Sequence, residues 1–306
     1  VVASMLLSCF PILAMGIVVD IVTGASQGIG KAIAESIAAH RGEQAEHLLV
    51  LVGRNEERGA AAAQKLGSNA CFESCNLGDY SQVLELKNRI HQKANSEYSI
   101  GILVNDASEC PRQQEFCTIP QRQQDTGDIA FVEVDRQFAT NVLGYHFMIK
   151  VFSDHFSTGD DKPTHVVNVA SNWAGDLDLS DLSFKRRGYD NDSAYRQSNQ
   201  CDRMLSKLWS EKLPGVRMNS CHPGDPKTTL SKDLGYNLWA SAPTRTLIEQ
   251  STPIPLLCGF GKLVGTGGWY EGTSGTPGRC RFTSLGSKSQ ELFDICESFC
   301  VTADTK

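Results

Sequence analysis

The sequence predicts a three-layer α/β fold, in which a mostly parallel, doubly wound sheet carries helices on both faces. Three observations predict it. Short apolar, β-branched runs alternate with segments of helical periodicity between residues 17 and 221, the pattern of repeated strand–helix–strand units. A glycine-rich turn, Thr23 to Gly30, joins the first such run to the first helical pattern. Asn105, Ser171 and His222-Pro223-Gly224 each follow a predicted strand. They therefore converge on the carboxyl edge of the sheet, where folds of this class bind ligands.

Ile17–Val22 reads as the first strand. The helix after the glycine turn spans Ile29–His40, with Ile29, Ala32, Ile33 and Ile37 at helical spacing. Leu48–Val52 is the second strand, and a helix follows through Leu66. Cys71–Cys75 is a short third strand, Tyr80–Lys93 a helix and Ile100–Val104 the fourth strand. The polar stretch Glu109–Asp128 is expected to be a long loop and a mobile lid. One long helix is expected over Phe131–Phe156. His165–Val169 is the fifth strand and Val216–Cys221 the sixth. Between them, Ser193–Leu213 places Cys201, Met204, Leu205, Leu208 and Trp209 on one helical face. Prolines and glycines then break the pattern, with Gly268-Trp269-Tyr270 expected as a last strand and Ser289–Val301 as a closing helix. We expect a single domain over residues 1–306, with 225–306 supplying a substrate-side lid and C-terminal elements.

Composition removes several function classes. The net charge of −6 offers no basic footprint for nucleic acid. The 11 cysteines include no CxxC pair, and the 7 histidines show no HxH or HExxH spacing. Neither a metal centre nor a disulfide framework is expected. The apolar run over residues 1–19 lacks a basic start and ends at Asp20. We expect a soluble, cytoplasmic protein, with membrane association as the lesser reading.

Gly24, Gly28 and Gly30 lie between a strand and a helix. Glycine admits positive φ and close backbone approach, and the following helix N-terminus attracts a pyrophosphate. The second strand ends in Gly53-Arg54-Asn55. An acidic residue here would accept from the adenosine ribose and favour NAD(H), whereas Arg54 offers a cation to a 2′-phosphate. NADP(H) is the expected cofactor, with NAD(H) possible.

With these motifs the chain resembles the short-chain dehydrogenase/reductase family, and so implies a Rossmann-like fold. The family's glycine turn appears as Thr23–Gly30 and its post-strand Asn-Asn-Ala-Gly as Asn105-Asp106-Ala107-Ser108. Its long-helix asparagine matches Asn141, its serine Ser171, and its Tyr-x-x-x-Lys matches Tyr195 and Asn199. Its Pro-Gly segment matches Pro223-Gly224, with Thr228 beyond it. Asp176-Leu177-Asp178-Leu179, Ala194–Ser198 and His222-Pro223-Gly224 are most similar to the retinol-dehydrogenase and protochlorophyllide-reductase-like branch. The resemblance implies a catalytic set of Asn141, Ser171, Tyr195 and Asn199. It implies cofactor contacts from Gly24, Ser26, Gln27, Gly28, Ile29, Gly30, Arg54, Asn76, Asn105, Ala107, Tyr195, Asn199, Pro223, Gly224 and Thr228.

It also implies hydride transfer between nicotinamide and a carbonyl or alcohol, with Tyr195 exchanging the oxygen's proton and Ser171 orienting that oxygen. A free tyrosine titrates near pH ~10, and a neighbouring ammonium would favour its phenolate. Asn199 brings no such charge. Arg196 points to a different helix face and Arg203 is two turns away; Lys185, Arg186 and Arg187 lie on the segment before Tyr195, and nothing in the sequence requires them to fold over it. Further departures are Asp20 inside a strand, Asn76 and Asp106 in place of aspartate and asparagine, Ser108 in place of glycine, and Asp225 after Pro223-Gly224. Leu179, Leu182, Trp173 and the 225–265 segment are expected to wall an apolar substrate pocket. Two functions stay open: an oxidoreductase of impaired turnover acting on a small carbonyl or alcohol, and an inactive nucleotide-binding protein on the same fold. The long helices are expected to serve a possible homodimer.

Overall fold

The computed structural model describes residues 16–42, 46–94, 97–224, 228–230, 252–260, 265–271 and 286–303. The first half alternates β1 (Ile17–Thr23), α1 (Gly28–Arg41), β2 (His47–Gly53), α2 (Glu56–Gln64), β3 (Ala70–Ser74), α3 (Tyr80–Lys93) and β4 (Tyr98–Asn105). A hairpin of β5 (Phe116–Arg122) and β6 (Ile129–Asp135) follows. Next come a short helix α4 (Arg136–Phe138), a π-helical turn (Ala139–Leu143) and α5 (Gly144–Phe152). The rest is β7 (His165–Val169), α6 (Asn191–Lys212), β8 (Arg217–Cys221), α7 (Pro253–Gly259), β9 (Trp269–Tyr270) and α8 (Gly286–Ser298).

The main sheet has the order β3-β2-β1-β4-β7-β8-β9, and every pairing in it is parallel. Side chains alternate between its faces. Val19, Ile21, Val50 and Val52 join α3, α5, α6 and α8 on one side. Val22, Leu49 and Leu51 join α1, α2 and α7 on the other. The three predicted layers are present. The strand order reverses between β1 and β4, which places the ligand crevice at their carboxyl ends.

Two expectations give way. Residues 109–128 are not one long loop, nor is 131–135 helical: Pro120 faces Phe131 and Cys117 faces Val134 in the antiparallel hairpin. Ile119 and Val134 point into the core while Phe116 and Phe131 are exposed, a period of two rather than 3.6. The helix begins only after Asp135, whose carboxylate caps the N–H groups of Gln137 and Phe138. Asp20 is also no unpaired charge. Its carboxylate accepts from Arg41 Nε at 2.8 Å, Arg41 Nη2 at 3.1 Å and the Ile102 N–H at 2.9 Å, and lies 2.9 Å from His47 Nε2. It fills the irregularity where the β1–β4 register shifts between Val19 and Asp20.

The apolar run of residues 1–15, Asp225 and most of the 225–265 segment lie outside the described residues. No helix among the described residues is long and apolar enough to cross a membrane.

Candidate active site

A cavity of about 510 Å³ opens at the carboxyl ends of β1, β2, β4, β7 and β8, within the range of small-molecule sites. The turn after β1 forms its base. Gly24 has φ +69°, and a Cβ there would lie 2.9 Å from the Ala107 backbone. Gly28 has φ +61°, yet a Cβ would meet nothing within 4 Å, because the residue faces open space. The N-cap of α1, Gln27, makes no side-chain capping bond. Ser26, Gln27, Gly28 and Ile29 line the cavity, and the first N–H groups of a helix have no intrahelical partner. An uncapped helix start behind a glycine turn fits a pyrophosphate.

At one end, Arg54, Asn76 and Arg58 line the wall. Arg54 Nη2 donates to Glu109 Oε2 at 2.9 Å, and Arg136 Nη2 reaches the same oxygen at 2.9 Å. Burial would raise the Glu109 carboxyl, but the bonds from Arg136 and Thr140 and the Arg54 charge hold it below the ordinary carboxylate range. Arg58 was not singled out by sequence. It lies in the first turn of α2, four residues after Arg54, and that proximity was the available signal.

The other end lies three strand positions away, roughly 14 Å across the sheet. Ser171 follows β7, and Tyr195 and Asn199 share one face of α6. All three line the cavity, with Ala107, Pro223, Gly224 and Thr228 around them. Ser171 Oγ accepts the Trp173 N–H at 3.1 Å. Burial raises the Tyr195 phenol to about 12, and the hydrogen bonds from Asn199 and Ser171 do not offset it. Asn199 Nδ2 also donates to its own helix, at the Tyr195 carbonyl, 2.8 Å away.

The other cations are engaged elsewhere. Lys185 Nζ lies 5.9 Å over the Phe116 ring, Arg186 Nη2 donates to the Ser180 carbonyl, and Arg187 donates to the Asp181 carbonyl at 3.2 Å and stacks over the Phe184 ring. Arg196 pairs with Asp176 at 3.1 Å. Arg203 donates to the Ser171 carbonyl and lies 3.6 Å over the Trp269 ring. Among the described residues lining the cavity, the only Lys or Arg side chains are Arg54 and Arg58.

Three expected contacts stand behind the wall. Gly30 packs against the Gly24 carbonyl. Asn105 Nδ2 donates to Asn168 Oδ1 at 2.8 Å. Asn141, in the π-helical turn, exchanges hydrogen bonds of 2.9 and 3.0 Å with the Glu109 backbone. Of the predicted pocket walls, Trp173 lines the cavity, whereas Leu179 and Leu182 pack into the core. Asp106 also lines it; burial, against a bond from the Gly30 backbone, raises its carboxyl well above the usual range. Sequence reasoning missed Asp202, which lines the cavity at 4% exposure. Its position seven residues after Tyr195 was the available signal.

Away from the cavity, His146, Glu297 and Cys300 approach one another closely enough for a metal. Trp209 Nε1 donates to His146 Nδ1 at 3.2 Å, which leaves Nε2 to donate to Glu297 at 3.0 Å. Lys150 holds the other carboxylate oxygen. Both His146 ring nitrogens are engaged, so the imidazole has no lone pair free for a metal.

A family model described as short chain dehydrogenase matches residues 18–238. Mouse retinol dehydrogenase 13 is 28% identical over 228 residues, covering 71% of this chain and 61% of that protein. Human dehydrogenase/reductase SDR family member 12 is 24% identical over 208 residues, covering 67% of this chain and 60% of that protein. The chain thus spans about three fifths of the length of these curated relatives. Among solved structures, one titled a putative short chain dehydrogenase from Pseudomonas syringae shares the fold, with a TM-score of 0.60, 23% identity and coverage of 86% of this chain and 97% of that one.

Proposed function

From the premise that this chain belongs to the short-chain dehydrogenase family, we propose that it binds NADP(H) in the cavity and interconverts a carbonyl and an alcohol, with turnover limited by Asn199. One observation carries the reading: the Ser171–Tyr195 pair and the glycine cradle line the same cavity. Gly24, Ser26, Gln27, Gly28 and Ile29 would hold the pyrophosphate through backbone N–H groups. Arg54 and Arg58 would face a 2′-phosphate, and Asn76 the adenine. Asn199, Pro223, Gly224 and Thr228 would hold the nicotinamide end. The bound cofactor would supply or accept a hydride.

The chain's own part is the proton and its placement. Ser171 orients the substrate oxygen. Tyr195 donates a proton to it in reduction, which a neutral phenol can do. The reverse reaction needs the phenolate, which burial disfavours. Reduction is therefore the better-supported direction. The proposed substrate is small to medium and partly apolar, in keeping with Val169 and Trp173 on the wall.

A second reading, nucleotide binding without turnover, is favoured by the lack of any lining Lys or Arg at the Tyr195 end among the described residues. Titration with NADPH followed by NADPH oxidation over a panel of aldehydes, ketones and quinones separates the two. Binding with turnover that rises in Asn199→Lys supports the oxidoreductase. Binding with none in either protein supports the second reading, and failure to bind either nicotinamide cofactor defeats both.

A further inference from the structure

We propose that Asn199 and Asp202 form a binding site for a primary ammonium group, and that the ligand of this cavity is an amino-carbonyl or amino-alcohol compound bringing the cation the helix lacks. Tyr195, Asn199 and Asp202 fall at i, i+4 and i+7 on α6, a single helical face, and all three line the cavity. Asp202 is buried, and its Oδ1 has no hydrogen-bond partner. A buried acceptor of this kind calls for a donor.

The neighbouring Tyr145, Asp106, Cys201 and Cys296 bring it no positive charge. Tyr145 donates its hydroxyl to the Val169 carbonyl at 3.0 Å. Asp106 is occupied by the Gly30 N–H. Burial raises the Cys201 and Cys296 thiols well above their usual range, so they stay uncharged. Arg203, next in sequence, is turned to the Ser171 carbonyl and the Trp269 ring.

The site also has the shape of a missing group. Asparagine ends two atoms short of a lysine's nitrogen. The amide nitrogen of Asn199 is drawn back onto the Tyr195 carbonyl at 2.8 Å, and its remaining polar atom, Oδ1, can only accept. A primary ammonium carries three donors and no acceptor. Asp202 and Asn199 Oδ1 offer it acceptors, beside a Tyr195 oxygen already bonded by Asn199 and Ser171. Burial raises the Asp202 carboxyl well above its ordinary range; an arriving ammonium is the charge that would favour its ionised form. The same ammonium favours the Tyr195 phenolate. The binding site stands on the cavity geometry alone, and its catalytic consequence rests on the oxidoreductase reading.

The test titrates n-butylammonium and the neutral 1-butanol into the protein with and without NADPH, by ligand-observed NMR. The expected result is at least tenfold tighter binding of butylammonium than of butanol. Asp202→Asn should weaken butylammonium at least tenfold and leave butanol unchanged. Asn199→Lys should also abolish butylammonium binding, because its own ammonium takes the place beside Asp202; this variant carries the test if Asp202→Asn fails to fold. Equal binding of the two probes, or butylammonium binding unaltered in both variants, overturns the proposal. NADPH binding without Asp202-dependent ammonium binding would leave the oxidoreductase reading standing alone. Ammonium binding without NADPH binding would do the reverse.

Discussion

Arg54 donates to the Glu109 carboxylate at 2.9 Å, so the cation nearest the proposed 2′-phosphate is already shared with an acid. Arg136 holds the same carboxylate. Glu109→Gln leaves Arg54 its full charge and should raise the ratio of NADPH to NADH affinity by about tenfold, equivalent to ~1.4 kcal/mol. Arg54→Asp should reverse the preference. Competitive titration of the two cofactors checks both, and an unchanged ratio in the two variants removes the role given to Arg54.

Tyr195 is raised to about 12 by burial, so its phenol is protonated throughout the neutral range. The sign is direct: reduction uses the protonated form, oxidation the ionised one. Alcohol oxidation should therefore climb about tenfold per pH unit between roughly pH 8 and 10, while carbonyl reduction stays flat. Asn199→Lys should move the rise to lower pH by about 1–3 units. Tyr195→Phe should abolish both directions. Initial rates against pH measure all three, and a flat oxidation profile in the wild type would contradict the assignment.

Much of this was legible in the chain because its signals are local. Strand–helix alternation, the glycine turn and the i,i+4 spacing of Tyr195 and Asn199 each need only a few consecutive residues. The hairpin was missed because Phe131-Val132-Glu133-Val134 alternates with period two over too short a span to outweigh the helix behind it. Asp20 looked unpaired because its partners, Arg41 and His47, come from neighbouring elements. Asn105 and Asn141 were placed beside the right elements, but whether a side chain faces the cavity or the layer behind it is decided by packing. Asp202 carries no motif, and only its burial beside an open cavity marks it.

Asp20 holds a buried network of Arg41, His47 and the Ile102 N–H. Asp20→Ala removes the acceptor and strands a cation, and should cost about 3–5 kcal/mol. Denaturant unfolding checks this; a loss under about 1 kcal/mol would mean the network is dispensable.

Glu297 links α8 to α5 through His146 and Lys150. Burial alone would raise its carboxyl; the hydrogen bonds and charges of His146 and Lys150 outweigh it and hold the group at about 2. A depressed acid contributes stability that is present above its unfolded pKa and lost as pH falls through the folded one. The wild type should therefore lose stability between about pH 4.5 and 2, and Glu297→Gln should lose less across that window. Parallel acid-unfolding curves would contradict the linkage.

The most direct measurement of the central claim compares NADPH binding by the wild type and by Gly28→Ala. The added methyl enters open space, so the fold should survive with a backbone cost of about 1–2 kcal/mol, while the methyl occupies the place proposed for the pyrophosphate. The account predicts saturable NADPH binding by the wild type and at least a tenfold weaker affinity in a folded variant. Equal affinity in the two proteins would contradict it.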